Sequence, residues 1–111
     1  MEDERVILLV GLECRPEAED KFNQWYDEHI PLMLKFPGVK AATRYKIAKA
    51  DGKHPNYLAI YQFESQQAYG EYANSPEREV ALKHVSDSWG DKLPYERRWR
   101  VAYRPIKTWN K

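Results

Sequence analysis

Strand-like and helix-like patterns follow one another along this chain in a single order, strand-helix-strand-strand-helix-strand, and no other feature of the sequence narrows the fold as far. Arg5 to Glu13 reads RVILLVGLE, a short, continuously apolar, β-branched run of the kind a strand buried on both faces produces. Arg15-Pro16-Glu17 then opens a helix, with proline and an acid in the early positions that favour them, and Pro37-Gly38 ends it after Phe36. At about 100° per residue, Phe22, Trp25, Tyr26, His29, Ile30, Leu32, Met33 and Phe36 fall within an arc of roughly 160°. Asp20, Asn23, Gln24, Asp27, Glu28 and Lys35 take the opposite side, as does Pro31, where a kink would bend the helix around whatever the stripe covers. His29 falls near the middle of the stripe, where a titratable ring needs a partner.

The middle of the chain has the period of a hairpin. From Val39 to Ala48, the residues Val39, Ala41, Thr43, Tyr45 and Ile47 alternate with Lys40, Ala42, Arg44 and Lys46, which predicts a strand with a polar side near a sheet edge. Asp51-Gly52-Lys53-His54-Pro55-Asn56 is turn chemistry, and Tyr57 to Glu64 (YLAIYQFE) is a third strand. Ser65 caps a second helix with Ala68, Tyr69, Tyr72 and Ala73 on one face. Ser75-Pro76-Glu77 starts a further helical segment carrying Val80, Ala81, His84, Val85 and Trp89 and ending before Gly90. Arg98 to Arg104 (RWRVAYR) alternates as a fourth strand, and the tail from 105 to 111 has no regular period. Right-handed crossovers and short connections turn this order into an α+β, ferredoxin-like β-α-β-β-α-β fold, with a four-stranded antiparallel sheet and both helical regions on one face. The length implies a single domain spanning 1–111.

Charge and cysteine content remove several functions. Eighteen Lys and Arg against seventeen Asp and Glu leave a net charge of +1, so no broad electrostatic drive toward nucleic acid exists. Arg97-Arg98-Trp99-Arg100 resembles a basic patch, but strict alternation on a strand splits its charges between two faces. The lone Cys14 cannot form an internal disulfide, and no Cys/His spacing suits a metal. Trp25 and Met33 stand one turn either side of His29, where a second metal ligand would be needed. After the acidic opening Met1-Glu2-Asp3-Glu4, the apolar run is too short for a signal peptide or a membrane span, so a cytoplasmic protein without a membrane partner is expected. Phosphate-cradling glycine loops and nucleophile elbows are absent from the sequence.

One face of such a sheet has no helix over it. Strands one and three are nevertheless apolar on both sides: Ile7 and Leu9 against Val6, Leu8 and Val10, and Leu58 and Ile60 against Tyr57, Tyr61 and Phe63. An apolar face of that kind marks an interface or a ligand site, and a second copy of the sheet, related by a two-fold axis, covers it most simply. A tail folded back over the face is the alternative.

Phe22-Asn23-Gln24-Trp25-Tyr26-Asp27-Glu28-His29-Ile30-Pro31, followed by Phe36-Pro37-Gly38-Val39 and Thr43-Arg44-Tyr45, resembles the EthD-like subgroup of the dimeric α/β-barrel superfamily. The motifs cover about a quarter of the chain, and the order of elements extends the likeness loosely to the rest. The resemblance implies a homodimer and a ligand cavity, either between sheet and helices or between the two sheets, with His29 pointing toward it. The superfamily includes cofactor-free monooxygenases, lactone isomerases, polyketide cyclases and haem enzymes, and fold does not choose among them.

The expected function is therefore a cofactor-independent enzyme acting on a small hydrophobic, aromatic or polyketide-like molecule. It would be of isomerase, cyclase or monooxygenase type, with His29 as proton acceptor. Tyr45 and Tyr61 are the catalytic tyrosines that would polarise a ligand oxygen, and Trp25, Tyr26, Met33, Arg44 and Tyr72 are the ligand-binding residues. No metal or cofactor is expected. Each residue also has a plainer reading. His29 can be a helix histidine bonded to a carbonyl or a tyrosine, each Tyr a core aromatic with its hydroxyl at the rim, and Arg44 a solvated strand arginine. His54 is expected to be exposed, and His84 to be at the surface or an interface. Two other functions stay open: a non-catalytic ligand-binding or stress-related dimer, and a structural module whose interior is fully packed. A cavity of a few hundred Å³ separates the first two readings from the third.

Overall fold

The computed structural model describes residues 4–111; the acidic opening Met1-Glu2-Asp3 lies outside the described residues. Its strands are β1 (Val6–Cys14), β2 (Val39–Lys46), β3 (Tyr57–Phe63) and β4 (Tyr95–Tyr103). A short 3-10 turn over Pro16–Ala18 leads into helix α1 (Glu19–Leu34), and the second helical region is divided into α2 (Gln66–Tyr72) and α3 (Pro76–Trp89). The sheet has the order β2-β3-β1-β4 with every neighbour antiparallel, which is the ferredoxin-like arrangement. The two strands that are apolar on both faces, β1 and β3, are the central pair, and the half-polar β2 is an edge.

The boundaries follow local chemistry. Pro16 occupies the first position of the 3-10 turn, so α1 begins at Glu19 rather than at residue 16, and it passes unbroken through Pro31 on its exposed side. Ser65 accepts from the Ala68 amide and Ser75 from the Arg78 amide, capping α2 and α3. Gly90 ends α3 with φ +60°, a conformation costly for any side chain with a Cβ. Asn56 ties the hairpin to the first strand: its Oδ1 accepts from the Cys14 amide at 2.8 Å and its Nδ2 donates to the Cys14 carbonyl at 2.9 Å.

Two clusters make the core between sheet and helices. Val6, Leu8, Met33, Phe36, Tyr61, Phe63 and Tyr72 pack at one end, and Leu12, Cys14, Phe22, Trp25, Tyr26 and Tyr57 at the other. α3 buries only Ala81 completely and leans on α1 rather than on the sheet, which leaves space above β1 and β4. On the opposite side of the sheet, Trp99 lies over Gly11 so closely that a Cβ there would stand 2.5 Å from the indole. Leu9, flanked by Ile60 and Val101, continues that uncovered face. The tail does not close it: Ile106 is 98% and Trp109 76% exposed. Among the described residues no helix is long and apolar enough to cross a membrane.

Candidate active site

α1 and α3 present their polar aromatic groups on matched spacings. Trp25 and His29 are one turn apart on α1, and His84 and Ser88 one turn apart on α3, so two rungs face each other across the helices. Trp25 Nε1 donates to Ser88 Oγ at 2.7 Å. His29 Nδ1 lies 3.1 Å from His84 Nδ1, a hydrogen bond in which one ring donates and the other accepts. The Trp25 indole is stacked on both imidazoles, with centroids 4.2 Å from His29 and 5.1 Å from His84. His29 is only 8% exposed. Burial, reinforced by the neighbouring His84, lowers its pKa from 6.5 to about 4, so the ring is uncharged at neutral pH.

His29 forms part of the wall of a cavity of about 410 Å³ between the helix-facing side of the sheet and the helices. Of the two places the resemblance leaves open, the chain itself provides this one. Leu8, Val10 and Leu12 of β1 form its floor, and Tyr26, Met33, Tyr61 and Tyr72 line it together with His29. The Tyr26 and Tyr61 hydroxyls are hydrogen-bonded to each other. Burial pushes the Tyr61 phenol up to about 12 and raises Tyr26 as well, so both stay protonated and can donate.

Three of the residues singled out in the sequence stand elsewhere. Trp25 backs the histidine pair and does not line the cavity. Arg44 is on the helix-facing side but behind Tyr26, its guanidinium 4.1 Å from that ring and 5.1 Å and 5.3 Å from Phe22 and Tyr57. Its Nη1 donates to Asn23 Oδ1 at 2.9 Å, while Nη2 is buried without a hydrogen-bond partner. Tyr45 lies on the other face of the sheet, 49% exposed, because Arg44 pairs with the buried Ala59 and the next residue must point the opposite way. It is therefore not brought together with His29 and Tyr61.

Among the residues that were not anticipated are a second histidine beside the cavity and three arginines in its wall. His84 is half-buried, one side against His29 and the other toward solvent; its place on the stripe with Ala81 and Val85 is the sequence signal for the inward side. Arg78, Arg97 and Arg100 also line the cavity. Strict alternation would place Arg97 and Arg100 on opposite faces, and this expectation is corrected by a bulge. Leu12 pairs with Arg97 and Gly11 with Trp99, so Arg98 is the extra residue and Arg97 and Arg100 face the same way. Exposed His54 sits in its turn beside Asp51, as expected. Among the described residues no three His, Cys, Asp or Glu side chains are grouped to hold a metal.

The family DUF4286, described as a domain of unknown function, matches residues 5–99. The cofactor-independent oxygenase SnoaB from Streptomyces nogalater superposes with a TM-score of 0.72 at 11% identity, covering 97% of this chain and 99% of its own. An ethyl tert-butyl ether D (EthD) family protein from Bacillus halodurans gives 0.65 at 15% identity, with 91% and 99% covered. A protein assigned as an antibiotic biosynthesis monooxygenase from Bordetella bronchiseptica gives 0.66 at 12%, with 94% and 99% covered. At these identities the likeness is one of fold. No curated protein matches the sequence.

Proposed function

The chain belongs to the DUF4286 family, and on the cavity beside His29 we propose that it is a single-domain, cofactor-independent proton-transfer enzyme acting on a small aromatic or polyketide-like molecule. The observation that carries this reading is the meeting, on one cavity of about 410 Å³, of a buried neutral imidazole and the three buried phenols of Tyr26, Tyr61 and Tyr72. That volume is in the range of small-molecule sites, and a packed structural module would have none. The fold it shares with a cofactor-independent oxygenase is compatible with an enzyme, and the cavity wall, not the fold, carries the choice of chemistry.

His29 Nε2 is the proton acceptor. For that atom to carry a lone pair, His29 holds its own proton on Nδ1 and donates it to His84 Nδ1. A proton taken from an acidic C–H or a phenol leaves an oxyanion on the ligand, and Tyr61, itself hydrogen-bonded to Tyr26, donates to that oxygen. Arg44 adds positive charge behind Tyr26. The Nδ1 proton of the imidazolium can then pass to His84, which reaches solvent. The anion so formed is the common starting point for isomerisation, ring closure or electron delivery to oxygen. The uncovered sheet face, with Leu9, Ile60 and Val101 at its centre, belongs to a two-fold homodimer in this reading.

Anthrone, whose methylene hydrogens are acidic, tests the reading without any co-reactant. In D2O under nitrogen the protein should accelerate exchange of those hydrogens over buffer, and His29→Ala should return the rate to that of buffer with its thermal unfolding still cooperative. Exchange at the same rate with His29→Ala would remove His29 from the chemistry.

A further inference from the structure

We infer that the cavity takes a planar aromatic carboxylate, with the carboxylate held by Arg78, Arg97 and Arg100 and the ring lying against Tyr26, Tyr61 and Met33; this rests on the reading of the cavity as a ligand site.

Among the described residues no Asp or Glu lines this cavity, whereas three arginines do. Like charges gather at a cost unless an anion joins them. Among the described residues none of the three is in an ion pair with an Asp or Glu. Arg100 donates to the Tyr69 hydroxyl at 3.4 Å, with its guanidinium 6.0 Å from that ring.

Arg78 comes from the first turn of α3, whereas Arg97 and Arg100 come from β4, across the cavity from it. The charges of Arg78 and Arg100 both act on the Tyr72 phenol, one from α3 and one from β4; Glu77, the acid that acts there with opposite sign, is not in the wall. The bulge opposite Gly11 and Leu12 is what brings Arg97 to the same side as Arg100. All three are half-buried or exposed, which places the charges at the solvent end, while His29 and Tyr61 are buried. An amphipathic acid therefore enters with its ring inward, and forked guanidinium donors match the two oxygens of a carboxylate. The acid would thus be anchored at the far end from the proton acceptor.

The test uses 2-naphthoate and its uncharged carboxamide, 2-naphthamide, titrated into the full chain by calorimetry and by methyl NMR. Naphthoate should bind about tenfold or more tightly than naphthamide, as charge-assisted hydrogen bonds require, and should weaken with added salt. Shifts at the Leu12 and Val85 methyls should place both probes in the cavity. Arg97→Gln with Arg100→Gln, and separately Arg78→Gln, should bring naphthoate down toward the affinity of naphthamide; Arg100→Lys, which keeps the charge and loses the fork, should fall between. Equal affinities for the two probes, with the same methyls shifted, would overturn the carboxylate inference and leave the cavity reading standing. If neither probe shifts those methyls, both readings fail.

Discussion

The pairing of His29 with His84 has a consequence for stability that does not depend on any substrate. The His29 pKa falls from 6.5 to about 4 in the folded protein, chiefly because burial disfavours the charged ring and secondarily because His84 stands against it. The unfolded chain takes up the proton near pH 6.5, whereas the folded one resists it until about pH 4. The unfolded state therefore binds more protons across that window, so the contribution of His29 is fully present above pH 6.5 and is lost as the pH falls toward 4. At about 1.4 kcal/mol per pKa unit, the whole difference is on the order of 3 kcal/mol, of which about 2 kcal/mol is gone by pH 4.5. Urea unfolding of the wild type and of His29→Gln, at one protein concentration and at pH 7 and 4.5, isolates this part because the other titrating groups are common to both. The wild type should lose about 2 kcal/mol more than the variant between the two pH values. Parallel losses in the two proteins would refute the buried, neutral state assigned to His29.

Two further outcomes follow from the packing. Asn56→Ala removes both hydrogen bonds to the main chain of Cys14, a residue with 0% exposure, and leaves a buried donor and acceptor unpaired. It should cost about 2–4 kcal/mol in urea unfolding, and a loss below about 1 kcal/mol would contradict that assignment. Val101→Glu puts a charge beside Leu9 on the uncovered sheet face, away from the cavity. Light scattering should then give 13.2 kDa, against twice that for the wild type, and an unchanged mass would place the interface elsewhere.

The sequence carried the order of elements because each has a local cause. Apolar runs mark the two central strands, Ser65 and Ser75 mark helix starts, and Pro37-Gly38 marks the exit of α1. At Gly38 a Cβ would stand 2.6 Å from the Phe36 ring and 2.7 Å from Ala68, so the glycine of that motif has a packing reason. Site geometry was less legible because it depends on pairing between distant segments. Whether Arg44 or Tyr45 faces the helices is decided by register against Ala59 and Leu58, and period-two alternation alone does not say which set turns inward. Likewise, a bulge cannot be read from RWRVAYR, so the arginines of the cavity wall were separated on paper. His84 was invisible as a partner of His29 because fifty-five residues separate them and only the packing of α3 on α1 joins them.

The assignment of His29 as proton acceptor turns on which of its nitrogens holds the proton. Long-range proton–nitrogen NMR correlations of the His29 ring at pH 7 report this directly. The expected result is a neutral ring protonated on Nδ1, bonded to His84, with a bare Nε2. A ring protonated on Nε2, or one fully protonated at that pH, would leave no lone pair for a substrate and would contradict it.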